Sequence, residues 1–175
     1  MFFLVCDAIA TIITPYRAGY RRKGVEMITY DDLNTQNHSI TELSNVLLYL
    51  FKERSMCDTG ACCELFNRYT DKVKAHIEMV DTNLYSKLLT HEDHEIQNLA
   101  RNFMSGSQEI RKIMTKYMKK WCPKKQADSL AIADHERFLK DSEEMFELVL
   151  ERIQLETEKL YPLVRELSGD KKTAA

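Results

Sequence analysis

AHIEMVDTNLYSKL (residues 75–88) and ERIQLETEKLYPLV (residues 151–164) align without a gap. In each, a ligand-type or basic residue (His76, Arg152) is followed four positions on by an apolar or acidic one (Val80, Glu156), then by Leu-Tyr at positions eight and nine after it. An offset of four puts two side chains one turn apart on a single helix face, which is how helical bundles aim side chains at a shared centre. The repetition reads as a duplicated helical hairpin.

Outward from these stretches, no proline occurs between Pro15 and Pro123, and the apolar residues of that span recur at helical spacing. The first helix follows Asp31 and Asp32, acidic residues suited to a helix N-terminus, and runs to about Glu53 with Leu33, Ile40, Leu43 and Leu47 on one face. The second spans about Thr59–Leu89 and the third about Glu92–Trp121, where Pro123 ends it. The fourth starts near Asp128 and reaches about Leu167, with Pro162 expected to bend its last turns. Short connections between four long amphipathic helices imply an all-α fold, an up-and-down antiparallel four-helix bundle.

A chain of 175 residues with five glycines and three prolines suits one helical domain with one core. The organised domain is placed at residues 27–168, with a loose tail at 169–175. Residues 1–26 read as an N-terminal appendage and an upstream start of translation. The apolar run at the very start precedes Arg17, Arg21, Arg22 and Lys23 rather than following them, the reverse of a signal peptide, and it holds Asp7. An inverted membrane anchor is the other reading of that segment. A net charge of −2 supplies no general attraction to nucleic acid or to an anionic membrane.

Five cysteines (Cys6, Cys57, Cys62, Cys63 and Cys122) make an odd set without a regular framework, which suits reduced thiols in a cytoplasmic protein. Cys57-x4-Cys62-Cys63 lacks a CxxC step and reads as small apolar residues near a helix start. Lysines and arginines crowd the end of the third helix, whereas the fourth carries Asp141, Glu143, Glu144, Glu147 and Glu151. These are complementary solvated faces, or a docking surface for a protein partner or a second copy of the chain.

The two repeats, with RIQLETEKLYPLV as the most specific piece, resemble the hemerythrin-like HHE cation-binding family over about residues 31–168. That family carries His-x3-Glu on its second and fourth helices and single histidines on its first and third. The resemblance implies mono- or dinuclear non-heme iron, or sensing of a small gas such as O2 or NO. His76 matches the first histidine and Glu156 the last glutamate, but Val80 stands where the second-helix glutamate belongs and Arg152 where the fourth-helix histidine belongs. His38 and His94 are the candidates for the remaining metal ligands.

Helical phase opposes both of these. At about 100° per residue, each lies nearly opposite its own helix's apolar stripe, whereas Gln36 and Glu92 share those stripes. The expected cavity set is therefore His76, Gln36, Glu92, Arg152 and Glu156. In it Arg152 pairs with Glu156 one turn away, and a guanidinium takes the place of a metal as counter-ion. His91 and His135 read as rim residues.

Two function classes follow: a binder or sensor of iron, O2 or NO with a reduced ligand set, and a metal-free regulator acting through its surface. For the second, Arg152–Glu156 together with His76–Asp81 resembles helical anti-sigma regulators that bind the housekeeping sigma factor. Neither a phosphate loop nor a nucleophile elbow argues for an enzyme.

Overall fold

The computed structural model describes residues 28–122, 130 and 132–168. The expected appendage at 1–26, the tail at 169–175 and the expected helix start at Asp128 lie outside the described residues. Every regular element among the described residues is helical.

Helix α1 (Tyr30–Phe51) begins with a reciprocal cap: the Thr29 hydroxyl accepts from the Asp32 N–H at 3.1 Å, and the Asp32 carboxylate accepts from the Thr29 N–H at 3.1 Å. Two otherwise orphaned donors are thereby satisfied, which fixes where the chain turns helical. A single turn, α2 (Arg54–Cys57), leads to α3 (Gly60–Val80), capped by Thr59. The run continues through a π-helical segment, π1 (Asp81–Tyr85), into α4 (Ser86–Leu88). Helix α5 (His94–Trp121) is capped by Asp93 and α6 (His135–Leu155) by Asp134. A second π segment, π2 (Glu156–Leu160), joins α6 to α7 (Tyr161–Ser168). No described helix is long and apolar enough to cross a membrane.

Helix α1 packs against α3, α6 and α7, while α5 packs against α3, π1, α4 and α6. The apolar stripes that face inward form two clusters. One holds Ile40, Leu47, Phe51, Phe66, Tyr69, Val73, Ile110, Met114, Phe138, Met145 and Phe146. The other holds Leu33, Val80, Leu84, Tyr85, Phe103, Leu160 and Tyr161. Polar side chains mark the boundary on every long run: Gln36 and Asn37 between Leu33 and Ile40, His76 between Val73 and Val80, Ser107 between Phe103 and Ile110, and Arg152 and Glu156 between Val149 and Leu160. Each run thus has a polar turn where the two clusters meet, and together these turns form an internal layer.

The two π segments occupy matching places in the duplicated stretches. Under the gapless alignment Val80 corresponds to Glu156, so π2 begins one residue earlier in its repeat than π1 does in its own. Pro162 follows π2, but Ser86 holds the corresponding place after π1, so proline is not the shared cause. The shared consequence is a change of phase. In an unbroken α-helix, Tyr85 lies nine residues and about 900° beyond His76, on the opposite face; one extra residue in a turn removes about 100° of that. Tyr85 and Tyr161 both end inside, 0% and 1% exposed.

Candidate functional site

His76 on α3 is buried, and both of its ring nitrogens are engaged: Nδ1 with Gln36 Oε1 at 3.0 Å and Nε2 with Glu156 Oε2 at 2.8 Å. The Gln36 amide nitrogen points instead at the Met79 sulfur, 3.1 Å away, which leaves the amide oxygen for the imidazole. Both ring nitrogens therefore face side-chain oxygens, one on α1 and one on π2.

The second carboxylate oxygen of Glu156 accepts from Arg152 Nε at 2.6 Å across one helical turn. Beyond it, Arg152 Nη2 lies 2.6 Å from the Tyr85 hydroxyl, 2.9 Å from the Phe103 carbonyl and 3.0 Å from the Ser107 hydroxyl. The guanidinium also sits over the Phe103 ring, 4.5 Å from its centre. The floor beneath it is Gly106, where a Cβ would come within 2.8 Å of Arg152 Nη1. A helix interior ordinarily disfavours glycine, and here the missing side chain is the space the guanidinium fills.

Asp81, the first residue of π1, pairs with Arg111 of α5 at 2.8 Å and feels the charges of Arg152 and Glu156. Its carboxyl is raised from the ordinary value, chiefly by burial, which the nearby arginines only partly offset. On the α1 side of the layer, the Asn37 amide donates to the Tyr161 hydroxyl. Tyr161 thus meets α1 of the first half of the chain, and Tyr85 meets Arg152 of the second half. The duplicated tyrosines cross between the repeats.

Burial by itself would push the Glu156 carboxyl up. The hydrogen bond and charge of His76, and the charge and hydrogen bond of Arg152, outweigh it and hold the group below its ordinary value of 4.5. A carboxyl held low in the folded state contributes stability above its unfolded-state value and loses it as pH falls through the folded one. Asp81, shifted the other way, acts with the opposite sign, so the Glu156 contribution has to be isolated by difference. We expect Glu156→Gln to be less stable than the native chain at pH 7, with the gap in urea midpoint shrinking as pH drops below about 4.5. A gap that stays constant from pH 7 to pH 3 would show that the ionised carboxylate contributes nothing.

The remaining sequence candidates lie elsewhere. His38 is exposed and pairs with Glu42 of its own helix at 3.2 Å. His94 is the exposed first residue of α5, His91 accepts from the Asp93 N–H, and His135 reaches the Phe51 carbonyl at 2.8 Å. Neither His38 nor His94 approaches the layer, as their outward phase implies. Glu92, expected in the cavity, is exposed, and that expectation is corrected: the helix begins only at His94, so Glu92 precedes the cap and follows no helical phase. Gln36 and Arg152 do sit at the layer. Helical phase does not mark Tyr85, Ser107 or the Phe103 carbonyl as site groups, because π1 shifts the first and the other two matter through Arg152.

Among the described residues, no three His, Cys, Asp or Glu side chains are grouped so as to hold a metal ion. The donors at the layer do not suit iron. An iron ion needs about four to six ligands, whereas both oxygens of Glu156 and both nitrogens of His76 are already bonded within the protein, and the cation beside them is Arg152. Comparison with family models, with curated proteins and with solved structures gave no match for the chain.

Proposed function

We propose that the chain is a hemerythrin-type up-and-down four-helix bundle in which an arginine stands in for the ion, and that it works as a metal-independent helical regulator through its surface. The observation that carries this reading is Arg152, whose guanidinium joins Glu156, Tyr85, Ser107 and the Phe103 carbonyl in one closed network. A permanent cation there neutralises the carboxylate and repels a second cation, so the layer has a structural part in place of a reactive one. The surface then carries the function. Basic Lys116 and Lys120 of α5 border acidic Asp141 and Glu144 of α6 around a groove lined by half-buried Ile113 and Leu148 above the core residue Met145. A partly apolar floor with a charged rim suits a protein partner, in line with the anti-sigma resemblance.

The competing reading keeps a reduced iron centre for O2 or NO on His76 and Glu156, with His38 and His94 brought in by rearrangement. It is favoured by the pair of π segments, a feature frequent at functional sites in helices. Metal analysis and an optical spectrum of protein purified without added iron separate the two. We expect less than about a tenth of an ion per chain and no oxo-bridge absorption. Iron near stoichiometry would overturn the metal-free reading. A pull-down that recovers no transcription or signalling partner would count against the regulator.

A further inference from the structure

Four cysteines that are spread over two regions of the sequence meet at one end of the core. Cys57 closes α2, Cys62 and Cys63 lie in the first turn of α3, and Cys122 caps the end of α5. All four are thiols and all are buried. Within this group Cys63 and Cys122 stand apart: their side chains are in hydrogen-bonding contact with each other. One amide also touches both, Asn67 Nδ2 lying 3.7 Å from the Cys63 sulfur and Asn67 Oδ1 lying 3.8 Å from the Cys122 sulfur. Cys122 has left helical geometry (φ −136°, ψ 61°), so the helix no longer dictates the direction of its side chain.

We propose that Cys63 and Cys122 are a thiol–disulfide pair, a modification site at which a hydroperoxide oxidant ties the first turn of α3 to the end of α5. One thiolate attacks a peroxide oxygen, breaking the O–O bond to give a sulfenic acid. The second thiolate then attacks that sulfur, forming the S–S bond and releasing the oxygen as water. Overall, two thiols and one hydrogen peroxide give one disulfide and two waters, two electrons passing from sulfur to peroxide. Two thiols of a small reductant reverse the step by exchange.

Burial raises the Cys122 thiol, with the neighbouring Cys63 adding to the shift, so the reactive thiolate is scarce at neutral pH. Oxidation therefore speeds up as pH rises above about 7. The bond closes a long loop containing most of α3 and all of α5, which restricts the unfolded chain and raises the melting temperature by about 5–10 °C.

The test uses the full chain, purified reduced, exposed to hydrogen peroxide, alkylated and digested without reductant. The tryptic peptide Ser55–Arg68 contains Cys57, Cys62 and Cys63 together, so a Cys57→Ser/Cys62→Ser chain is mapped alongside the native one. The expected result is loss of two of the five thiols, a cross-link between the Cys63 peptide and the Cys122 peptide in both chains, and its reversal by dithiothreitol. Five unchanged thiols, a cross-link from Cys57 or Cys62, an intermolecular bond, or oxidation only to sulfinic acid would each overturn the proposal. Should the double variant not fold, fragment sequencing of the cross-linked native peptide assigns the sulfur directly.

Discussion

Arg152→Ala is expected to destabilise the fold by about 3–5 kcal/mol, the typical cost of removing one partner from a buried ion pair. At this chain length, that lowers the melting temperature by about 6–20 °C. The size follows from what is stranded. Glu156 is 3% exposed and keeps only His76, while the Tyr85 and Ser107 hydroxyls and the Phe103 carbonyl lose the donor they share. Arg152→Lys keeps the charge, but a single ammonium cannot reproduce the planar fork that reaches Glu156 on one side and Tyr85 on the other, so it recovers only part of the loss.

Gly106 provides an internal control. In the native chain a Cβ at that position meets Nη1, whereas with Arg152→Ala in place the clash is gone, and Gly106→Ala then adds about 0.5–1 kcal/mol from helix propensity. Urea unfolding of the four chains measures the cycle. A loss under about 1 kcal/mol for Arg152→Ala would mean that the network is not what holds the layer together.

On the metal-independent reading, Arg152→His combined with Val80→Glu is expected to raise bound metal from under about a tenth of an ion per chain to about one. The resemblance places a histidine and a glutamate at these two positions, and the structure supplies the room. Removing the guanidinium opens the space above Gly106, releases one Glu156 oxygen and takes away the repelling charge. Val80 is 1% exposed in the apolar cluster directly below His76, one turn away on the same face. Its carboxylate replacement costs stability without metal, so the same variant should gain melting temperature when iron or zinc is added. A chain that stays folded, binds no metal and gains no stability would refute the alignment of these residues with metal-ligand positions.

What is local in sequence was legible. Arg152 and Glu156 lie four residues apart on one helix, so their pairing follows from helical geometry alone. The outward direction of His38 and His94 follows from the same periodicity, and so do the inward stripes of α1, α3, α5 and α6. Of the capping residues, Thr59 stands at an expected helix start, whereas Thr29, Asp93 and Asp134 are not singled out by apolar spacing.

Three features required the tertiary structure. Tyr85 and Tyr161 enter the interior because π1 and π2 each alter the turn by one residue, and a phase change of about 100° leaves no mark in a sequence read at 3.6 residues per turn. Glu92 fails to enter because the helix starts two residues later than its apolar spacing implies, and side-chain direction before a cap is not periodic. Cys63 and Cys122 touch across most of two helices, since contact between distant residues is set by how the helices pack and not by the period of either one. The sequence by itself therefore determined the helices and the pairing of Arg152 with Glu156, whose partners lie one turn apart on one helix. Packing decided what surrounds that pair, because Gln36, His76, Tyr85, Phe103 and Ser107 reach it from three other runs of the chain.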